Sequence, residues 1–103
     1  MILYHCTPSR NDDSIGSSGL LLRYAQGARR VWGCIGRLRG WASGHIAARH
    51  GVTRGDVTFW RVYVPDRWLT LYKDGIFFCD RDIPVTHLER VTLPVRDRRR
   101  KGG

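Results

Sequence analysis

The sequence predicts an α+β domain in which a split or strongly bent β-sheet packs with two short helices. Short apolar segments typical of strands alternate along the chain with two stretches that have helical periodicity. The length of 103 residues suits a single small domain. The hydrophobic share of 42% and the charged share of 26% are those of a globular protein. We therefore expect one domain over residues 1–95 and a disordered basic tail over residues 96–103.

Local signals predict each element of the first half. The opening apolar run ends in polar residues, which is typical of a strand that opens onto a loop. Ser9 is a helix-capping residue type, and Gly16 and Gly19 favour a helix end. Gly51 favours the end of a second, longer helix. The predicted elements are a strand over 2–6, one or two helical turns over 9–15, a buried apolar run over 20–22, an exposed basic loop over 23–30, a strand over 31–35 and a helix over 38–50.

The second half contains the clearest strand, over residues 57–64. Large apolar groups alternate onto both of its faces, which predicts a position inside the sheet, and Pro65 ends it. Asp66 is predicted to cap a helical turn. The remaining predicted elements are that helical turn over 66–71, a strand over 75–79, a turn over 80–84 and a last strand over 90–93.

The charge of the chain is strongly basic. Eighteen Lys and Arg residues face nine Asp and Glu residues, for a formal net charge of +9, and sixteen of the eighteen are arginine. Arginine binds phosphate through a planar fork of donors and stacks on bases, so this excess favours nucleic acid or another polyanion as partner. The alternative is that a GC-rich genome encodes arginine by default and that the tail carries much of the excess.

Other sequence features bear on location and on metals. No apolar run approaches the roughly 20 residues that span a bilayer, and no targeting peptide precedes the first strand, so we expect a cytoplasmic protein without a membrane partner. The spacings of the His and Cys residues match no metal-ligand pattern, so we expect no metal site and reduced thiols.

His5 is the first candidate site residue. A histidine at a strand end can bind a ribose hydroxyl or a phosphate, or move a proton near neutral pH. The alternative is a structural histidine whose ring is hydrogen-bonded to the backbone. Thr7 adds a hydroxyl just beyond it, although threonine before proline is also an ordinary turn residue.

Trp41, His45 and Arg49 form a second candidate group. Their i, i+4, i+8 spacing places them on one helix face, where they can stack a base and bind a phosphate. The alternative is that Trp41 belongs to the core and Arg49 to the solvent. Glu89 is the only glutamate in the chain, so any mechanism that needs a glutamate must use it.

Several short motifs follow one another along the chain: Tyr-His-x-Thr over 4–7, then residues 14–15, 19–20, 31–32, 62–65, 74–78, 82–84 and 87–88. In their order and spacing they resemble the ADP-ribosyltransferase-like superfamily. The last three look like the late strands of its RNA 2′-phosphotransferase branch and of small bacterial and phage relatives, and the resemblance covers residues 2–93.

This resemblance implies a split sheet that binds NAD. It implies that His5 holds the ribose of the nicotinamide half, with Thr7 and Tyr4 nearby. It further implies that Trp32 lines the nicotinamide pocket and that Arg23 reaches the pyrophosphate. Glu89 matches no glutamate position of the protein-modifying members, so it acts in an unusual register or the enzyme works with basic residues, as the RNA phosphotransferase branch does.

Two functions remain open from the sequence. The first is an enzyme that transfers an ADP-ribosyl group to or from a nucleic acid or other polyanion, with electrostatic stabilisation of an oxocarbenium-like ribose. The second is a non-catalytic basic protein on the same fold, such as a phage-encoded inhibitor, that binds nucleic acid.

Overall fold

The computed structural model describes residues 1–24 and 30–91. Within these residues the chain forms a six-stranded antiparallel sheet and two α-helices, so the predicted α+β class is confirmed. Short 3₁₀ turns connect several of these elements. The elements in chain order are β1 (Ile2–Pro8), α1 (Asp12–Ser18), β2 (Val31–Cys34), α2 (Arg39–His50), β3 (Val57–Tyr63), β4 (Leu69–Lys73), β5 (Ile76–Cys79) and β6 (Leu88–Val91).

The sheet divides into two groups of three strands. Its order is β4-β5-β2-β1-β3-β6. β1 pairs with β3 along its whole length, whereas the pairing described between β1 and β2 is the single register pair Tyr4 and Cys34. We call β1, β3 and β6 the β1 half, and β2, β5 and β4 the β2 half. The two halves therefore meet at a narrow junction.

Side-chain alternation gives the sheet two different faces. Residues directly opposite each other in an antiparallel pair point to the same side of the sheet. Leu3 and its partner Val62 lie in the core with Ile15 of α1, and we call this side the α1 face. Phe59 packs with Ala42 of α2, and we call the opposite side the α2 face. The larger apolar cluster lies under α1 and the smaller one under α2.

Most elements lie where the sequence predicts them. The interior strand is confirmed, because β3 lies between β1 and β6. The long helix is confirmed as α2, and Gly51 ends it at φ 67°. The first helix begins and ends later than predicted, after a 3₁₀ turn over Ser9–Asn11. Gly19 ends it at φ 84°, where a Cβ would lie 2.3 Å from the Ile83 carbonyl oxygen.

Two predicted caps are wrong because tertiary partners occupy the side chains. The Ser9 hydroxyl donates to the carbonyl oxygen of Asp56 at 3.0 Å and makes no cap bond. The Asp66 carboxylate lies 3.1 Å from the Met1 ammonium group and makes no cap bond.

The predicted helical turn over 66–71 is wrong in its second part. A 3₁₀ turn over Asp66–Trp68 leads at once into strand β4. β4 is extended because it pairs with β5, a contact between segments that local periodicity does not report. The last strand is β6, which ends at Val91, so the predicted residues 92–93 and the predicted tail over 96–103 lie outside the described residues.

No helix in the described part of the chain is long and apolar enough to cross a membrane.

Candidate functional site

His5 lies in the middle of β1, because the pairing with β3 extends this strand to Pro8, so its predicted position at a strand end is wrong. It follows Tyr4, the one residue for which a register pair between β1 and β2 is described. Its Nδ1 atom is 2.8 Å from the carbonyl oxygen of Trp32. A carbonyl only accepts hydrogen bonds, so Nδ1 carries the proton and donates, and Nε2 carries the lone pair. Burial lowers the pKa of His5 below 6.5, which keeps the ring neutral at neutral pH. Within residues 1–24 and 30–91, no partner of Nε2 is found. This nitrogen is therefore an acceptor available to a hydroxyl donor.

A small cavity of about 10 Å³ lies between Leu3, Val31 and Val62 in the core, and His5 is not among the residues that line it. Such a volume admits about one water molecule. This cavity is therefore too small to hold a nucleotide.

Thr7 is buried and hydrogen-bonded within the fold. Its hydroxyl oxygen accepts a bond of 2.9 Å from the side-chain amide of Asn11. It lies two residues beyond His5 on the same strand and therefore on the α1 face as well.

A polar cluster around Asp12 completes the α1 face. The Asp12 carboxylate accepts bonds from the Thr58 hydroxyl at 3.0 Å and from the Trp60 indole nitrogen at 3.1 Å. The Arg90 guanidinium donates to the same carboxylate at 3.0 Å. Asp12 is 17% exposed, and Thr58 and Trp60 are buried. No local pattern in the sequence indicates this cluster, because the partners of Asp12 are 46 to 78 positions away from it along the chain.

Glu89 lies on the α2 face with Tyr4. Arg61 is the register partner of both residues. The Glu89 carboxylate accepts bonds of 2.7 Å from the Tyr63 hydroxyl and from the Arg61 guanidinium. These two donors lower the pKa of Glu89, so the carboxylate is ionised. Glu89 and Tyr4 are therefore brought together, but on the side of the sheet opposite to His5.

The ring of Trp32 also lies on the α2 face. Its centroid is 5.0 Å from that of Tyr72 and 5.3 Å from that of Phe78. The Arg30 guanidinium lies 4.1 Å from the Phe78 ring centroid. Trp32 therefore contributes its carbonyl to the His5 site and its indole to a separate aromatic group.

Arg23 is exposed in a 3₁₀ turn after Leu20. Its guanidinium lies over the ring of Tyr24 at 5.0 Å. Among the residues that the structure describes, no contact joins Arg23 to His5 or Trp32.

The second candidate group lies on the outside of α2. Trp41 is 53% exposed, and its ring stacks on His45 with centroids 5.1 Å apart and planes 13° apart. The predicted sharing of one helix face is therefore confirmed for these two residues. Arg49 is exposed one turn further along the helix.

The described cysteine thiols and metal-binding side chains do not form a further candidate site. Burial raises the pKa of Cys6 to about 12 and also raises the pKa of Cys34, so neither is an activated nucleophile. Over residues 1–24 and 30–91, no group of three or more His, Cys, Asp or Glu side chains is placed to hold a metal ion.

The sequence matches no protein-family model, and no curated protein is significantly similar to it.

Proposed function

We propose that this protein is an ADP-ribosyltransferase-like enzyme that binds NAD or a related nucleotide and acts on a nucleic acid or other polyanion. The observation that carries the proposal is the tautomer of His5. The Trp32 carbonyl fixes the proton on Nδ1, so Nε2 presents a lone pair at the junction of the two halves. A nitrogen with a free lone pair can accept a hydrogen bond from a ribose hydroxyl group.

The architecture supports the same proposal. The resemblance implies a split sheet with the nucleotide between its parts, and the described sheet consists of two three-stranded halves joined at Tyr4 and Cys34. His5 follows Tyr4 directly, so the ring lies where the halves begin to separate.

The residues present fit the ribose part of NAD. His5 would hold a ribose hydroxyl through Nε2, and Arg23 would meet the pyrophosphate as the resemblance implies. Bound NAD supplies an ADP-ribosyl group whose bond to nicotinamide is broken. His5 is neutral and buried, so it orients the ribose rather than carrying positive charge against the developing oxocarbenium ion.

The position of Glu89 favours chemistry without a glutamate. Glu89 is held by Arg61 and Tyr63 on the α2 face, whereas His5 lies on the α1 face. A side chain on the far side of a sheet does not share a ribose with His5. The basic residues would then stabilise the phosphates and the acceptor, as in the RNA phosphotransferase branch.

Two substitutions at His5 separate its structural bond from its ligand contact. His5→Asn keeps a donor near the Trp32 carbonyl and removes the acceptor at the Nε2 position, whereas His5→Gln places an amide near the Nε2 position and lacks the Nδ1 donor. We expect the wild-type protein to show an NAD-dependent rise in melting temperature that His5→Asn loses while remaining folded. If millimolar NAD leaves the wild-type melting temperature unchanged and is not consumed, the proposed use of NAD is wrong.

A non-catalytic basic protein is the second candidate. It is favoured by the engagement of Glu89 with Arg61 and Tyr63, which leaves no glutamate beside His5. In that case, binding of a polyanion would fall steeply with salt and would be the same in wild type and His5→Asn. No NAD turnover would accompany it.

A further inference from the structure

Three aromatic rings lie together on the α2 face of the β2 half. We call Trp32, Tyr72 and Phe78 the aromatic platform. Trp32 and Tyr72 meet edge to face, with ring planes 89° apart, and Trp32 and Phe78 are tilted by 55°. They come from three neighbouring strands, β2, β4 and β5. The sheet therefore assembles the platform from residues that are far apart in the sequence.

A β-bulge in β4 directs two consecutive side chains toward this face. The register shifts between Leu71 and Lys73, and Tyr72 lies in the shift. Lys73 pairs with Ile76, which in turn pairs with Cys34 on the α2 face. A bulge inserts an extra residue and re-aims a side chain. Tyr72 and Lys73 therefore both belong to the α2 face, although consecutive residues of a regular strand alternate.

Two cations border the platform. The Arg30 guanidinium lies 4.1 Å from the Phe78 ring centroid, and the Lys73 ammonium lies 5.5 Å from that of Tyr72. Within residues 1–24 and 30–91, neither cation forms an ion pair with a carboxylate. The positive charges of Arg30 and Lys73 therefore lie beside the aromatic rings and are not neutralised by a described carboxylate.

The platform is open to solvent. α2 packs mainly on β1 and β3, in the other half of the sheet. Tyr72 is 56% exposed, Trp32 is half-buried and Phe78 is buried beneath them. An exposed tyrosine ring and the edge of a tryptophan beside two unpaired cations fit a ligand that carries both planar rings and negative charge.

We propose that the aromatic platform, with Arg30 and Lys73, binds single-stranded nucleic acid. Unpaired bases stack on exposed aromatic rings, and Arg and Lys meet the phosphates between them. The net charge of +9 adds long-range attraction for a polyanion. A duplex stacks its bases internally and offers none to the rings, and an apolar protein surface would have to desolvate both cations.

This inference deepens the proposed function by naming the class of acceptor, and it depends on that proposal only for the transfer step. Binding of an oligonucleotide is measured without NAD, so the two can fail separately. If the wild type binds the oligonucleotide but not NAD, the proposed enzyme activity is contradicted and the platform is not. If it binds NAD but not the oligonucleotide, the proposed role of the platform is contradicted and the enzyme activity is not.

The experiment measures binding of a labelled single-stranded oligouridylate of about ten nucleotides by fluorescence anisotropy at several salt concentrations. Tyr72→Ala removes an exposed stacking ring and is expected to weaken binding by about 5- to 100-fold. Arg30→Gln and Lys73→Gln are each expected to reduce the slope of log affinity against log salt by about 0.7. Circular dichroism checks that each variant is folded.

Leu71→Ala is the matched control, because it removes an exposed apolar side chain next to Tyr72 in β4 that pairs with Phe77 on the opposite face, and it leaves the platform intact. We expect its affinity to stay close to that of wild type. Wild-type tryptophan fluorescence should also be quenched by the oligonucleotide, and Trp32→Phe should remove much of the quenching. The proposal is overturned if Leu71→Ala weakens binding as much as Tyr72→Ala does, if duplex RNA binds as tightly as the single strand, or if the wild type does not bind at low salt.

Discussion

The two halves of the sheet differ in strand length and in how they are covered. In the β1 half, β1 and β3 have seven residues each and pair along their whole length, and α1 and α2 pack on opposite faces. The buried Thr58 hydroxyl and Trp60 indole both have a hydrogen-bond partner in Asp12. In the β2 half, the strands have four or five residues, Tyr72 and Lys73 are exposed, and the described pairing with the other half is one register pair.

This difference separates stability from binding. Burial of apolar surface holds both halves together, because the larger cluster joins Leu3 with Val31 and Cys79, and the polar cluster around Asp12 adds stability to the β1 half. The β2 half leaves side chains on its α2 face available to a ligand. His5 lies at the junction of the two halves, so the ribose contact that we propose depends on both.

The largest effect should come from removing the polar cluster of the β1 half. Asp12→Ala leaves the Thr58 hydroxyl and the Trp60 indole buried without an acceptor. We expect the free energy of unfolding to fall by about 2–4 kcal/mol, measured by urea denaturation. Asp13→Ala is the control, because Asp13 is exposed in the same helical turn and should cost well under about 1 kcal/mol. Equal losses in both variants would contradict the assignment of stability to this cluster.

A smaller effect is expected at the junction between the halves. A Cβ on Gly33 would lie 3.1 Å from the Cβ of buried Leu3, so Gly33→Ala forces β1 and β2 apart and should cost about 1–3 kcal/mol. Gly40→Ala meets no atom within 4 Å and lies inside α2. It should stabilise the protein by about 0.5–1 kcal/mol. A lower melting temperature for Gly33→Ala and a higher one for Gly40→Ala would support close packing at the junction. An unchanged melting temperature for Gly33→Ala would contradict it.

The smallest expected effect is a pH dependence that originates at His5. Burial holds its pKa in the folded protein below 6.5, so the unfolded chain takes up the proton first as the pH falls. Stability is therefore lost as the pH decreases below about 6.5. His5→Asn cannot take up this proton, so it should lose less stability than wild type between about pH 7.5 and pH 5.5. Urea denaturation at both pH values measures the difference, and identical losses would mean that His5 is not a buried neutral ring.

Part of this fold is readable from local patterns. The alternation over residues 57–64 predicts an interior strand, and the structure has β3 there. The helical periodicity before Gly51 predicts α2. In contrast, the apolar run after Asp66 has no period that separates a helical turn from a strand, and the pairing of β4 with β5 decides it.

The sequence indicates individual candidate residues of the site, but it does not indicate which of them lie together in the fold. The sequence offers His5 and Glu89 as candidate residues of one reaction, but the register of β1, β3 and β6 places them on opposite faces. Tyr72 gave no signal by itself, because an exposed tyrosine in a strand is ordinary. Only its proximity to Trp32, together with the bulge beside Lys73, marks it as part of a surface.

The sequence by itself determined the element types in the periodic segments, the strongly basic charge and the presence of a histidine in the first strand. These properties are local or additive, so a single chain read from end to end contains them. The tertiary structure alone decided which side chains share a face, where the two halves of the sheet meet and which ring nitrogen of His5 carries the proton. Those outcomes depend on the register between distant strands, because a shift of one residue in pairing moves every side chain to the other face.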